Sequence, residues 1–222
     1  MGGGPGRRSG SLDLEAGLFL VRSSPRSYPL SDEALAERVA AALEAGARAA
    51  ATLRRRRPEA TAEELARELG VPVTESTSSG SATGASRVRL ADFLAGRGIV
   101  VYREGLERVA AALREMLPDE REIDVVAREL LVAHELFHAL SHLRPGGELP
   151  ALPRVSRQLG YTARFLGIPF RAAIPELEEV AAHGFSTAWT RLAVPALLVH
   201  AHVAARYDPR WAEWGRPHGP GQ

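Results

Sequence analysis

Leu130-Leu131-Val132-Ala133-His134-Glu135-Leu136-Phe137-His138-Ala139-Leu140 is the stretch from which the rest of the chain is read. Val126, Leu130, Ala133, Phe137 and Leu140 recur at three- and four-residue spacing, which predicts a helix from about Glu122 to Leu143 with one buried face. Pro145-Gly146-Gly147 stops it. On this helix His134 and His138 project from one side, one turn apart, so both imidazoles can reach a single tetrahedral Zn²⁺ at about 2.0–2.1 Å. Glu135 sits at a neighbouring azimuth, where it can take a proton from an attacking water as general base and return it as acid. With 7 histidines in 222 residues the HExxH pattern is rare by chance. Its apolar flanks place it in a core rather than on a solvated face. The competing readings are a pair of hydrogen-bonded helix histidines and a noncatalytic zinc site.

Composition restricts what else the metal centre can contain. The chain has no cysteine, so no thiolate ligand, thiolate nucleophile or disulfide is available, and any site is built from histidine and carboxylate. This favours a cytoplasmic location. The formal net charge of +1 supplies no field for a polyanion. Nucleic acid is therefore not the expected partner, and the run Arg54-Arg55-Arg56-Arg57 reads as the solvated, dipole-compensating end of a helix. The most apolar later stretch, Leu192 to Ala205, is broken by Pro195, His200 and His202 and falls short of the roughly 20 residues a membrane span needs.

Around the motif the chain reads as α+β and predominantly helical. Residues 1–28 are rich in Gly, Ser, Arg and Pro and read as a disordered leader, 29–206 as a single catalytic domain, and 207–222 as a flexible tail. Ser31 caps a helix reaching about Arg57, and Thr61 with Glu64 forms a capping box for a short helix ending at Gly70. Val88–Leu90 and Gly98–Tyr102 have the composition of strands, and the edge near Gly98–Tyr102 is where a substrate would add as a strand. Gly105–Leu117 and Val155–Leu166 read as helices. Pro175 opens another that runs to about Ala193, where Pro195 restarts the chain.

A third protein ligand is needed, and the downstream acids suggest where it lies. The metzincin extension is excluded because its Gly and His positions are Leu140 and Arg144 here. Acids on the Pro175 helix are favoured, and periodicity leaves both Glu178 and Glu179 open. Glu178 lies nearer the apolar stripe. Glu179 shares a face with His183, which can orient a ligand. Tyr161, between the two motifs, is a candidate oxyanion donor, a role for which His183 competes. His142 reads as a structural, dipole-compensating residue, and His200 and His202 as solvated or hydrogen-bonded.

Glu179-Val180-Ala181-Ala182-His183-Gly184-Phe185-Ser186 resembles the second motif of the ImmA/IrrE family of zinc metallopeptidases, Glu-x-x-Ala-Asn-x-Phe-Ala, which there follows an HExxH helix. The similarity extends over roughly residues 60–190 and includes Ala62 to Val71. His183 replaces the family's Asn, Ser186 replaces its Ala, and the interval between the motifs is longer. The resemblance implies a zincin-like fold of the gluzincin type, with a small sheet packed on the HExxH helix and a second ligand-bearing helix. It implies one Zn²⁺ on His134, His138 and Glu179, Glu135 as catalytic base, and a protein or peptide substrate such as a transcriptional repressor. The expected function is that of a metallo-endopeptidase. The alternative is a noncatalytic module that keeps the fold and binds a partner protein or DNA.

Overall fold

A computed structural model describes residues 6–77, 89–142, 152 and 154–214. These residues form an α+β, mostly helical structure. At its centre is α5 (Ile123–His142), the HExxH helix, which buries Leu130, Ala133, Leu136, Phe137 and Leu140. The stripe recognised in the sequence is the face that meets the core.

Two long helices pack into one core with α5 and position the second motif. α2 (Asp32–Arg56) starts at Ser31, whose side chain accepts the Ala34 N–H. α7 (Glu176–Thr190) begins after Pro175 and ends where Arg191 takes a left-handed conformation with φ 57°. α2 and α7 cross in close backbone contact. A Cβ on Gly46 would lie 1.9 Å from the Ala181 carbonyl oxygen, and one on Gly184 would lie 2.4 Å from that of Leu43. Only glycine permits this separation, so these two residues set the depth of α7 and hence the position of Glu179.

The capping box predicted at Thr61 is formed, and it starts α3 (Ala62–Glu68). α3 leads into a three-stranded sheet of β1 (Val73–Ser76), β2 (Ala91–Leu94) and β3 (Gly98–Tyr102), in the order β1-β3-β2. β1 pairs with β3 in parallel and β2 pairs with it antiparallel. Gly98–Tyr102 is therefore the central strand, buried between its neighbours, and cannot be the edge that accepts a substrate strand. β2 is the edge strand that lies against α5. β3 runs directly into α4 (Arg103–Met116), an amphipathic helix that also packs on α5.

Three other expectations change. The helix expected over Val155–Leu166 shrinks to one turn, α6 (Val155–Gln158), because the chain turns into a hairpin of β4 (Tyr161–Phe165) and β5 (Ile168–Ala172). Gly167 at φ 80° and Leu166 at φ 51° make the tight turn that joins these strands. The disordered leader is in large part α1 (Gly6–Arg22), which packs on α2 and buries Ala16 and Val21, followed by a 3-10 turn at Pro25–Ser27. The tail contributes α9 (Pro209–Trp214), which follows α8 (Ala196–Ala204) and buries Trp211 against it. Residues 1–5 and 215–222 of the predicted leader and tail, and Val88 of the first predicted strand, lie outside the described residues. Among the described residues no helix is long and apolar enough to cross a membrane.

Candidate metal centre

The helical spacing of His134 and His138 brings their Nε2 atoms to 3.3 Å of each other, with ring centroids 5.1 Å apart. α7, held close by the glycine crossing, brings Glu179 to the same point. One carboxylate oxygen of Glu179 lies 3.3 Å from His134 Nε2 and the other 3.4 Å from His138 Nε2. Ligands about 2.0–2.1 Å from a tetrahedral zinc are separated by about 3.3–3.4 Å, the edge of that tetrahedron. The three donor groups match that spacing, and the His₂Glu set is one that zinc uses in catalytic sites.

Glu178 is committed elsewhere. Its Oε2 accepts the Ser156 N–H at 3.0 Å, which caps the first turn of α6. The choice that periodicity left open is thus separated by hydrogen bonding: Glu178 ties α7 to α6, and Glu179 faces the imidazoles.

The electrostatics of the cluster favour positive charge on the imidazoles beside Glu179. Burial works against a charged His138, but the Glu179 carboxylate, helped by Glu135 and Glu178, pushes its pKa up to about 9. Burial likewise opposes ionisation of Glu179, but hydrogen bonds from His134 and His138 outweigh it and hold its pKa well below the usual carboxylate range.

Glu135 is 9% exposed and lies beside the donor cluster. Its burial raises its pKa against the pull of His134 and His138. Its Oε2 accepts one hydrogen bond, from the Phe93 backbone N–H at 2.7 Å. That N–H points away from β3, so the edge strand β2 presents its free side to the HExxH helix. Sequence reading missed this contact, since nothing in the composition of residues 91–94 marks a backbone donor.

The structure also relocates the remaining candidates. His183 packs against His134 with ring centroids 4.5 Å apart and planes tilted by 58°, so it braces that imidazole instead of pairing with Glu179. Its burial, then the neighbouring His134, drive its pKa well below the usual histidine value. His200, expected to be solvated or hydrogen-bonded, packs 5.0 Å from His183 and 5.7 Å from Trp211, and burial lowers its pKa to about 4. No local pattern signals this, because the approach of α8 to α7 is a tertiary event. Tyr161 starts β4, packs on the hydrophobic core and does not line the cavity beside the metal centre. His142 donates its Nδ1–H to the His138 carbonyl oxygen, 2.8 Å away, as a helix-end residue. His202 pairs with Glu115 at 2.8 Å. Arg54 is not simply solvated: it donates to the Trp189 carbonyl at 2.9 Å and lies over the Trp189 ring.

A cavity of about 450 Å³ opens on the donor cluster and is bounded by β2, α4, α5, α7 and α8. Comparison of the chain with protein-family models, with curated proteins and with solved structures finds no match.

Proposed function

We propose that this chain is a zinc-dependent metallo-endopeptidase, with His134, His138 and Glu179 as metal ligands and Glu135 as general base and acid. The observation that carries the reading is the set of three donor groups separated by 3.3–3.4 Å, with a buried carboxylate next to them and a cavity in front. Bound there, Zn²⁺ would act as a Lewis acid and bring the pKa of a water towards roughly 7. Glu135 takes the proton of the attacking water and passes it to the leaving amine. The Phe93 N–H holds the Glu135 carboxylate in place for both transfers, and burial raises its proton affinity. His183 keeps the His134 ring oriented by packing against it.

Edge strand β2 replaces the central strand as the place for substrate. Phe93 N–H faces the helix, so the same alternation turns the Ala91 N–H and C=O and the Phe93 C=O outwards, where an extended peptide can pair with them. This arrangement, a small sheet edge over an HExxH helix with a glutamate from a second helix, is what a zincin-like fold of the ImmA/IrrE type requires. The motif at Glu179–Ser186 supports the same assignment. A protein substrate, such as a repressor, and a cytoplasmic location belong to this proposal.

The test is zinc content and peptide hydrolysis of wild type beside Glu135→Gln. Gln keeps the shape and the Phe93 contact but cannot take the proton. The expected result is unchanged zinc and a loss of hydrolysis of about 10²–10⁴-fold. Zinc-loaded wild type that cleaves no peptide or protein would favour the noncatalytic binding module instead.

A further inference from the structure

We propose that the cavity between α4, α5, α7 and α8 is a specificity pocket that selects a bulky, uncharged side chain next to the scissile bond. This rests on the metallopeptidase reading and adds the class of residue the site accepts. The pocket begins at the donor cluster, since His134, Glu135 and Glu179 form part of its wall. Val109, Leu130, Leu131, Ala196 and Val199 supply apolar wall from three helices, and at least four of them are nearly or fully buried in the free protein. At about 450 Å³ it falls within the usual size range of small-ligand sites, roughly 300–1,000 Å³, and exceeds what any single side chain fills.

The charges on its wall are already committed. Arg89 pairs with Asp92 at 3.2 Å, and Asp92 also accepts the Tyr102 hydroxyl at 2.9 Å. Glu135, held at one oxygen by the Phe93 N–H, keeps its remaining acceptor for the attacking water, and Glu179 faces the ligand imidazoles. Ser186 turns its hydroxyl back to the Ala182 carbonyl at 3.0 Å. The other polar groups are the imidazoles of His183 and His200, and neither is paired with a carboxylate among the described residues. An Asp, Glu, Lys or Arg entering this space would lose water without gaining a free counter-charge. A Leu, Phe or Tyr would lose little and would bury its surface against the wall. Selection of this kind is worth roughly 10–200-fold per increment of apolar contact.

The determinant is the α8 wall, to which Val199 and Ala196 contribute. The test uses zinc-loaded protein and internally quenched peptides that carry Phe, Leu, Gly, Asp or Lys at each position flanking the cleaved bond. At one of those positions kcat/KM for Phe or Leu should exceed that for Asp or Lys at least tenfold. Val199→Trp, which fills the cavity, should lower the Phe-to-Gly ratio of kcat/KM at least tenfold, and Ala196→Leu should do so by a smaller factor if Val199→Trp does not fold. A readout free of turnover is calorimetric binding of 3-phenylpropionohydroxamate against acetohydroxamate to the same zinc-loaded proteins. Wild type should bind the phenyl compound at least tenfold tighter, and the filled variants should lose that margin. Hydrolysis with no side-chain preference, a preference for charged residues, or equal loss for all peptides in both variants would overturn the pocket while leaving the peptidase reading intact. Absence of hydrolysis with the hydroxamate margin present would overturn the peptidase reading and keep the pocket. Equal affinity for the two hydroxamates in wild type would overturn the pocket.

Discussion

Helix α5 carries two inward-facing glutamates less than two turns apart, and the fold uses them in opposite ways. Around Glu129 the hydrogen bonding is closed. Its Oε1 accepts both the Ala62 N–H at 2.7 Å and the Trp189 Nε1–H at 2.6 Å, and the Arg54 guanidinium sits 3.8 Å over the Trp189 ring. One carboxylate thereby joins the first turn of α3 and the end of α7 to α5. Around Glu135 the hydrogen bonding is open: one backbone donor, two imidazoles nearby and a cavity in front. Native proteins satisfy buried polar groups wherever structure alone is at stake, so a desolvated carboxylate left partly free is where chemistry is sought.

The difference is measurable. Glu129→Met keeps length and apolar volume but leaves the Ala62 and Trp189 N–H groups without an acceptor. Unsatisfied buried donors cost about 1–3 kcal/mol each, and Ala62 and Trp189 are both fully buried, so the expected loss of stability is about 2–6 kcal/mol. Urea denaturation should show it, with the zinc content of the folded protein unchanged. A loss below about 0.5 kcal/mol would remove the contrast between the two sites.

At Glu135 the corresponding change acts on rate and not on stability. Phe93→Pro deletes the N–H that holds the carboxylate, and because that N–H faces away from β3 it breaks no sheet hydrogen bond. Phe93→Ala removes the same side chain but keeps the donor. Proline is expected to lower kcat about tenfold relative to alanine, which corresponds to about 1.4 kcal/mol, with similar KM and urea midpoint. Equal kcat for the two variants would show that Glu135 needs no such anchor.

Much of this was legible in the sequence where the signal is local. The HExxH helix, the Ser31 and Thr61 caps, the strand Gly98–Tyr102 and the start of α7 at Pro175 follow from periodicity and capping chemistry, and the structure has each of them. The segment after Val155 misled because its apolar residues fit a helix until Gly160 and the Leu166-Gly167 turn are seen to favour a hairpin. The leader misled for a different reason. Its glycine and arginine content suggests disorder, yet Ala16 and Val21 find buried partners that only the folded chain supplies. Strand order, the packing of His183 on His134 and the arrival of His200 are likewise tertiary, and no window of residues encodes them. The pair Glu178-Glu179 could not be divided by periodicity, because the deciding contact, the Ser156 N–H, comes from another element.

That pair also gives the most direct test of the central claim, the zinc affinity of Glu178→Gln beside Glu179→Gln, read by competition with a chelator on the folded proteins. Wild type should bind one zinc per chain, Glu178→Gln should bind it with the same affinity, and Glu179→Gln should bind it at least about 100-fold more weakly. Wild type without zinc, or Glu179→Gln holding it as tightly as wild type, would contradict the account.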